Sequence, residues 1–114
     1  MSETIFTKII NREIPAEILY EDDEVLAFRD VSPQAPVHFL VIPKQPIPTV
    51  NDIQPDQAEL IGKMVLAAQL VAREQGVAED GYRLVMNCNE DGGQTVFHIH
   101  MHVLGGRPMS WPPG

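Results

Sequence analysis

Cysteine is nearly missing from this chain. Cys88 is its only one, so no disulfide can close within the chain, and a free thiol fits a reducing compartment, the cytoplasm. Positive charge is scarce as well: 8 Lys and Arg stand against 16 Asp and Glu, a net charge of −8. Such a surface repels the phosphates of a long nucleic acid, yet leaves room for one mononucleotide in a locally favourable pocket. No apolar run approaches the roughly 18 residues of a membrane-spanning helix, and the acidic N-terminus lacks the form of a signal peptide. Neither an internal repeat nor a low-complexity tract is present. The rest is ordinary for a globular protein. With 44% apolar and 21% charged residues in 114, the chain reads as a single domain over 1–114, able to bury about two-thirds of its unfolded surface.

Histidine is also sparse, but it is concentrated. Of 4 histidines, three fall in His98-Ile99-His100-Met101-His102-Val103-Leu104. Side chains of an extended strand alternate between faces. That alternation predicts the three imidazoles in one row, with Phe97, Ile99, Met101 and Val103 on the other face against a core. Two chemistries compete for such a row. For a metal, same-face neighbours lie roughly 6.5–7 Å apart at Cα, and two imidazoles can converge on one ion at Zn–N distances near ~2.0 Å. The outer pair converges less readily, and no paired cysteines or HExxH spacing offers further ligands. In nucleophilic or acid–base catalysis the middle imidazole attacks while its neighbours orient it and its target. That chemistry uses all three without forcing them onto one point.

Taken in order, Thr4 caps a short helix through about Asn11, with Ile5, Phe6, Ile9 and Ile10 on one face, and Pro15 prevents its continuation. Glu17 to Tyr20 and Glu24 to Arg29 read as strands about the turn Glu21-Asp22-Asp23. Asp30 opens a loop stiffened by Pro33 and Pro36. Its carboxylate can accept two hydrogen bonds from a ribose diol, or serve simply as a turn residue. Val37 to Pro43 reads as a buried strand carrying His38, which by itself is as well explained by a hydrogen-bonded core histidine. Pro55 to about Gln75 is the main helix, closed by Gly76. Leu60, Ile61, Met64, Val65, Ala67, Ala68, Val71 and Ala72 make its apolar face, while Leu66 and Leu70 lie on the opposite side and suggest a partner. Tyr82 to Asn87 reads as a strand in a hairpin with the histidine strand, which begins at about Thr95. Between them, Gly92-Gly93 lets backbone approach an anion closely, or serves a loop that needs positive φ. The end, 105–114, is too rich in glycine and proline for regular structure and holds the only tryptophan, Trp111.

The histidine stretch follows the pattern His-φ-His-φ-His-φ-φ, with φ apolar. Further blocks stand in order around it: Phe6-Thr7-Lys8-Ile9-Ile10, Glu13-Ile14-Pro15, Asp30-Val31-Ser32-Pro33-Gln34-Ala35-Pro36-Val37-His38, and Asp91-Gly92-Gly93-Gln94-Thr95-Val96. On these the chain resembles the histidine triad (HIT) superfamily, in its nucleotide-binding branch, over nearly its whole length. The resemblance implies an α+β fold: an antiparallel sheet of about five strands with one long and one short helix. It also implies a homodimer that buries the long helix, its two subunits forming a joint sheet, with the tail near the partner's site.

The activity implied is hydrolysis of a purine nucleoside 5′-phosphoramidate to a nucleoside monophosphate and an amine, through a nucleotidyl-histidine. His100 would be the catalytic nucleophile. His102 and the backbone near Gln94 would stabilise the phosphoryl oxygens, and His98 and His38 would complete the catalytic set as orienting groups. For the nucleotide, Asp30 would take the ribose, next to Val31 and Asn87. Gly93, Gln94 and Thr95 would face the phosphate together with His100, Met101 and His102, and Phe6 and Ile9 would wall the base. No metal or other cofactor, no nucleic acid polymer and no membrane is implied. Three other functions stay open at this point: a dinucleoside polyphosphate hydrolase or nucleotidyltransferase, a nucleotide-sensing interaction protein whose catalysis is incidental, and a zinc-binding module.

Overall fold

The computed structural model describes residues 3–114. Thr4 starts α1 (Ile5–Ile10): its hydroxyl accepts the Phe6 and Thr7 amides at 3.2 and 3.3 Å, while the Thr7 hydroxyl accepts the Thr4 amide at 2.8 Å. This reciprocal cap satisfies amides that a helix start leaves free. β1 (Ile18–Glu21) and β2 (Val25–Arg29) meet at a turn held by Asp22, whose Oδ1 accepts the Glu24 and Val25 amides at 2.8 Å. β3 is Val37–Pro43. The main helix has two parts: a 3₁₀ turn over Pro55–Gln57 leads into α2 (Ala58–Glu74), and Gly76 at φ +78° lets the chain leave. β4 (Tyr82–Val85) and β5 (Met101–Gly105) complete a sheet of order β1-β2-β3-β5-β4, antiparallel throughout.

Strand alternation divides the core in two. Val25, Ala27, Phe39, Val41, Met101 and Val103 face α2 and pack on Met64, Ala68 and Val71. Leu26, Phe28, Leu40 and Ile42 face the other way, under Phe6 and Ile9 of α1. The register pairs Leu40 with both Phe28 and His102. His38, two residues before Leu40, therefore emerges on the same face as His102. The short helix α1 covers only part of this face, and a cavity opens beside it.

The histidine strand is shorter than its alternation predicts. It begins at Met101, so His98 and His100 precede it and Phe97 is 50% exposed instead of packed. The cause lies in β3. Continuing its register would set Pro43 opposite Ile99, and proline has no N–H for the ladder. The Pro43 carbonyl is occupied by the His98 ring at 2.7 Å, and the Ile99 amide turns to the Ile47 carbonyl at 2.7 Å. Ile99 stays buried, as expected. On α1 and α2, Ile5 and Val65 are exposed although the periodicity puts them on apolar faces. Leu66 and Leu70 are exposed as predicted. Among the described residues no helix is long and apolar enough to cross a membrane.

Candidate active site

Three of the four histidines are fixed by hydrogen bonds to backbone and the fourth, His102, by the ring of His38. His98 is buried; its Nε2–H donates to the Pro43 carbonyl, and its Nδ1 has no partner among the described residues. His100 Nδ1 lies 2.9 Å from the His98 carbonyl. A carbonyl only accepts, so Nδ1 carries the proton and Nε2 keeps its lone pair. The Phe6 ring stands edge-on to the His100 ring at 4.9 Å and fixes its plane.

His102 takes the opposite tautomer. The Gln34 amide donates to His38 Nδ1 at 3.0 Å, so the His38 proton sits on Nε2. That nitrogen lies 2.9 Å from His102 Nδ1, which must accept. His102 therefore holds its own proton on Nε2. Adjacent rings, 5.1 Å apart, thus present one bare nitrogen and one N–H.

Burial favours the neutral form of all four rings. It pushes the His38, His98 and His100 pKa values below the usual 6.5. His102 is pushed down to about 4, first by burial and then by the charge His100 and His38 would carry, with Asp30 opposing.

His100 and His102 border a cavity of about 430 Å³. Its walls are apolar: Phe6, Ile9, Ile14, Ala16, Phe28 and Leu40. Its polar border adds Asp30, Asn87, Gly93 and Thr95, with Val31 on the exposed rim. The structure therefore gathers nine of the sequence-predicted positions at one cavity: Phe6, Ile9, Asp30, Val31, Asn87, Gly93, Thr95, His100 and His102. His38 and His98 stand behind the wall and hold the rings that line it.

The side chains of two predicted nucleotide contacts point away from the cavity. The Met101 side chain lies on the opposite face of β5, in the core under α2, as alternation from His102 demands. Gln94 is buried and its amide knits the loop: Nε2 donates to the carbonyls of Pro48 and Val96 at 2.8 and 3.0 Å, and Oε1 accepts the Asn89 amide at 2.8 Å. Of the backbone N–H groups near Gln94, two are already taken within the loop. The Gly93 and Gln94 amides bond the Glu90 and Asn89 carbonyls within the loop. The glycines serve that turn: Gly93 has φ +79°, and a Cβ at Gly92 would come within 2.6 Å of the Cys88 carbonyl oxygen. Thr95, Asn87 and the His102 N–H are among the donors at the cavity.

Sequence reasoning missed Ile14, Ala16, Phe28 and Leu40 as walls. The alternation from His38 to Leu40 was the available signal for one of them. The Pro43 and His98 carbonyls and the Gln34 amide carry no mark in a sequence, since every residue has such groups.

Asp30, His38 and His102 bring potential metal-ligating atoms within 4.8 Å of one another, which the histidine spacing alone did not reveal. The set does not suit a metal. A neutral His38 bound to metal through Nε2 would need its proton on Nδ1, facing the Gln34 N–H at 3.0 Å. Two donors would then point at each other.

A family model described as HIT domain matches residues 11–109. A purine nucleoside phosphoramidase of Escherichia coli (strain K12) is 60% identical over 107 residues, covering 94% of this chain and 90% of that protein. The crystal structure of a HIT family hydrolase from Legionella pneumophila Philadelphia 1 superposes with a TM-score of 0.96 at 52% identity, covering 98% of this chain and 100% of that one. A Zn-bound histidine triad family protein from Mycobacterium smegmatis is 32% identical, with a TM-score of 0.77 over 90% of this chain and 74% of its own. With the family model spanning the whole sheet and relatives this similar over nearly its full length, the chain belongs to the HIT domain family.

Proposed function

We propose that this protein hydrolyses purine nucleoside 5′-phosphoramidates to a nucleoside monophosphate and an amine. The observation that carries the reading is the His100 tautomer. Its Nδ1–H is bound to the His98 carbonyl, which leaves Nε2 bare at a cavity whose apolar walls suit a base and whose border holds a carboxylate suited to a ribose. The E. coli relative, a purine nucleoside phosphoramidase, supports the substrate class.

The reaction follows as a double displacement. His100 Nε2 forms a bond to the α-phosphorus, the P–N bond breaks, and the amine leaves with that electron pair and takes up a proton. The ring gains positive charge as it attacks, and the His98 carbonyl at Nδ1–H stabilises it. Negative charge on the phosphoryl oxygens meets the His102 Nε2–H, a fixed donor in a partly dry site. Water then attacks phosphorus and gives up a proton that matches the one the amine took. The P–Nε2 bond breaks with its electron pair returning to Nε2, and His100 is again neutral. The depressed histidine pKa values support this assignment, because the attacking nitrogen must be unprotonated at neutral pH.

The protein acts as a homodimer in this reading. Leu66, Leu70 and the sheet-edge residue Leu84 are all exposed and support it. The single free Cys88 supports a reducing cytoplasm.

The test is trapping. Rapid quench and mass spectrometry of the wild type with adenosine phosphoramidate should find AMP joined to His100. His100→Asn should abolish both adduct and turnover and still bind AMP. An adduct on His98 or His102, or near-normal turnover without His100, would overturn the assignment.

A further inference from the structure

His38 touches no part of the cavity, yet it is held from three sides. Its Nδ1 accepts the Gln34 amide at 3.0 Å, and its Nε2 faces both His102 Nδ1 at 2.9 Å and Asp30 Oδ2 at 3.4 Å. Asp30 is itself anchored, its Oδ1 accepting the Ser32 amide at 2.7 Å. The Gln34 peptide is anchored too, its carbonyl accepting an Arg107 N–H at 3.0 Å. We propose that Asp30, beyond any bond it makes to ribose, is a positioning residue for His102 and acts through His38. The proposal rests on the phosphoramidase reading above.

A neutral imidazole has two tautomers, and its neighbours decide between them. Here an amide donor at Nδ1 and a carboxylate at Nε2 select the same one. In the other tautomer, His38 Nδ1–H would meet the Gln34 N–H, and its bare Nε2 would meet both the carboxylate and the His102 Nδ1 lone pair. His102 would then have to move its proton to Nδ1, and the cavity would lose its Nε2–H. The carboxylate acts over a short distance on a ring that is only 4% exposed, where water screens it poorly. Burial of His38 opposes its protonation while Asp30 favours it, so the charge helps to hold the proton on the ring nitrogen beside it. A group that fixes a tautomer contributes to the chemical step, not only to binding. Loss of Asp30 should therefore slow substrates that have no ribose hydroxyls to lose.

The experiment compares wild type, Asp30→Ala and Asp30→Asn on adenosine phosphoramidate and its 2′,3′-dideoxy counterpart. Long-range 1H–15N spectra of the imidazoles in the free protein accompany the kinetics. Wild type should show Nε2–H for both His38 and His102. Asp30→Ala should move both to averaged shifts and lower kcat for the dideoxy substrate at least about tenfold. Asp30→Asn, whose single amide oxygen can face either the His38 Nε2–H or the Ser32 amide but not both, should restore tautomers and kcat in part. Unchanged tautomers in Asp30→Ala overturn the proposal. So does wild-type kcat on the dideoxy substrate with the loss confined to KM for the ribose substrate. The spectra need no turnover. If the tautomers shift but wild type cleaves neither compound, the phosphoramidase reading falls and the positioning role stands.

Discussion

His102 should make the protein sensitive to mild acid. Its folded-state pKa is about 4, below the usual 6.5, and the buried His38, His98 and His100 shift in the same direction. As pH falls through 6.5 the unfolded chain takes up protons that the folded chain refuses. By linkage, stability is fully present above 6.5 and declines as pH drops toward about 4. The carboxylates of Glu21 and Asp22 have lowered pKa values, so their loss comes in a more acid window. Urea midpoints measured across this range should fall steadily toward acid, and His102→Gln should flatten the slope. A midpoint independent of pH in that interval would mean that these rings are protonated in the folded protein. The same rings show what a sequence can carry at this scale. The central place of His100 was legible from spacing. Which nitrogen of each ring holds the proton was not, because the Gln34 amide and the His98 carbonyl settle it, and backbone groups are the same at every residue.

At the scale of elements, helix α1 matters out of proportion to its six residues. Phe6 and Ile9 wall the cavity, and Phe6 also touches the His98 and His100 rings edge-on, at 6.0 and 4.9 Å. A helix this short is marginal by itself, so the Thr4 cap and the packing of Phe6 hold it. Thr4→Ala should cost about 1 kcal/mol of stability and weaken nucleoside monophosphate binding several-fold. Urea denaturation and calorimetry would report the two effects. A variant that loses stability but binds at wild-type affinity would mean that the wall holds its shape without the cap. Thr4, Phe6 and Ile9 were legible because a cap and a helical spacing are local signals. The start of β5 was misjudged for the converse reason. Alternation carried the strand back to Thr95, while Pro43, more than fifty residues earlier, ends the ladder at Met101. Pairing partners distant in sequence decide where a strand stops, and a period of two does not contain them.

The whole molecule leaves an apolar surface without cover. Leu66 is 61% exposed and Leu70 37%, one turn apart on α2, and Leu84 on the edge strand β4 is 40% exposed. Two chains of net charge −8 repel at long range, so a stable pair needs a contact face that is apolar and short of carboxylates. Leu66 and Leu70 supply the apolar part, and of the two carboxylates beside them, Asp22 and Glu24, the second is paired with Lys63. A twofold interface meets itself, and any charge set near the axis enters twice. Leu66→Glu with Leu70→Glu should therefore split the proposed dimer, since burying each carboxylate is costly and like charges repel. The tail should behave differently. It lies along β4, where Arg83 donates to the Ser110 carbonyl at 2.9 Å, and it leaves Trp111 83% exposed. Deleting Ser110 to Gly114 should spare the dimer and change the preference among amine leaving groups, because a tail beside the edge strand can reach a partner's cavity only when two subunits join there. Sedimentation would read assembly, and kcat/KM across several phosphoramidates would read selectivity. A dimer that survives both glutamates puts the interface elsewhere on the surface. Substrate ratios unchanged by the deletion would leave Trp111 as an exposed end without a part in selection.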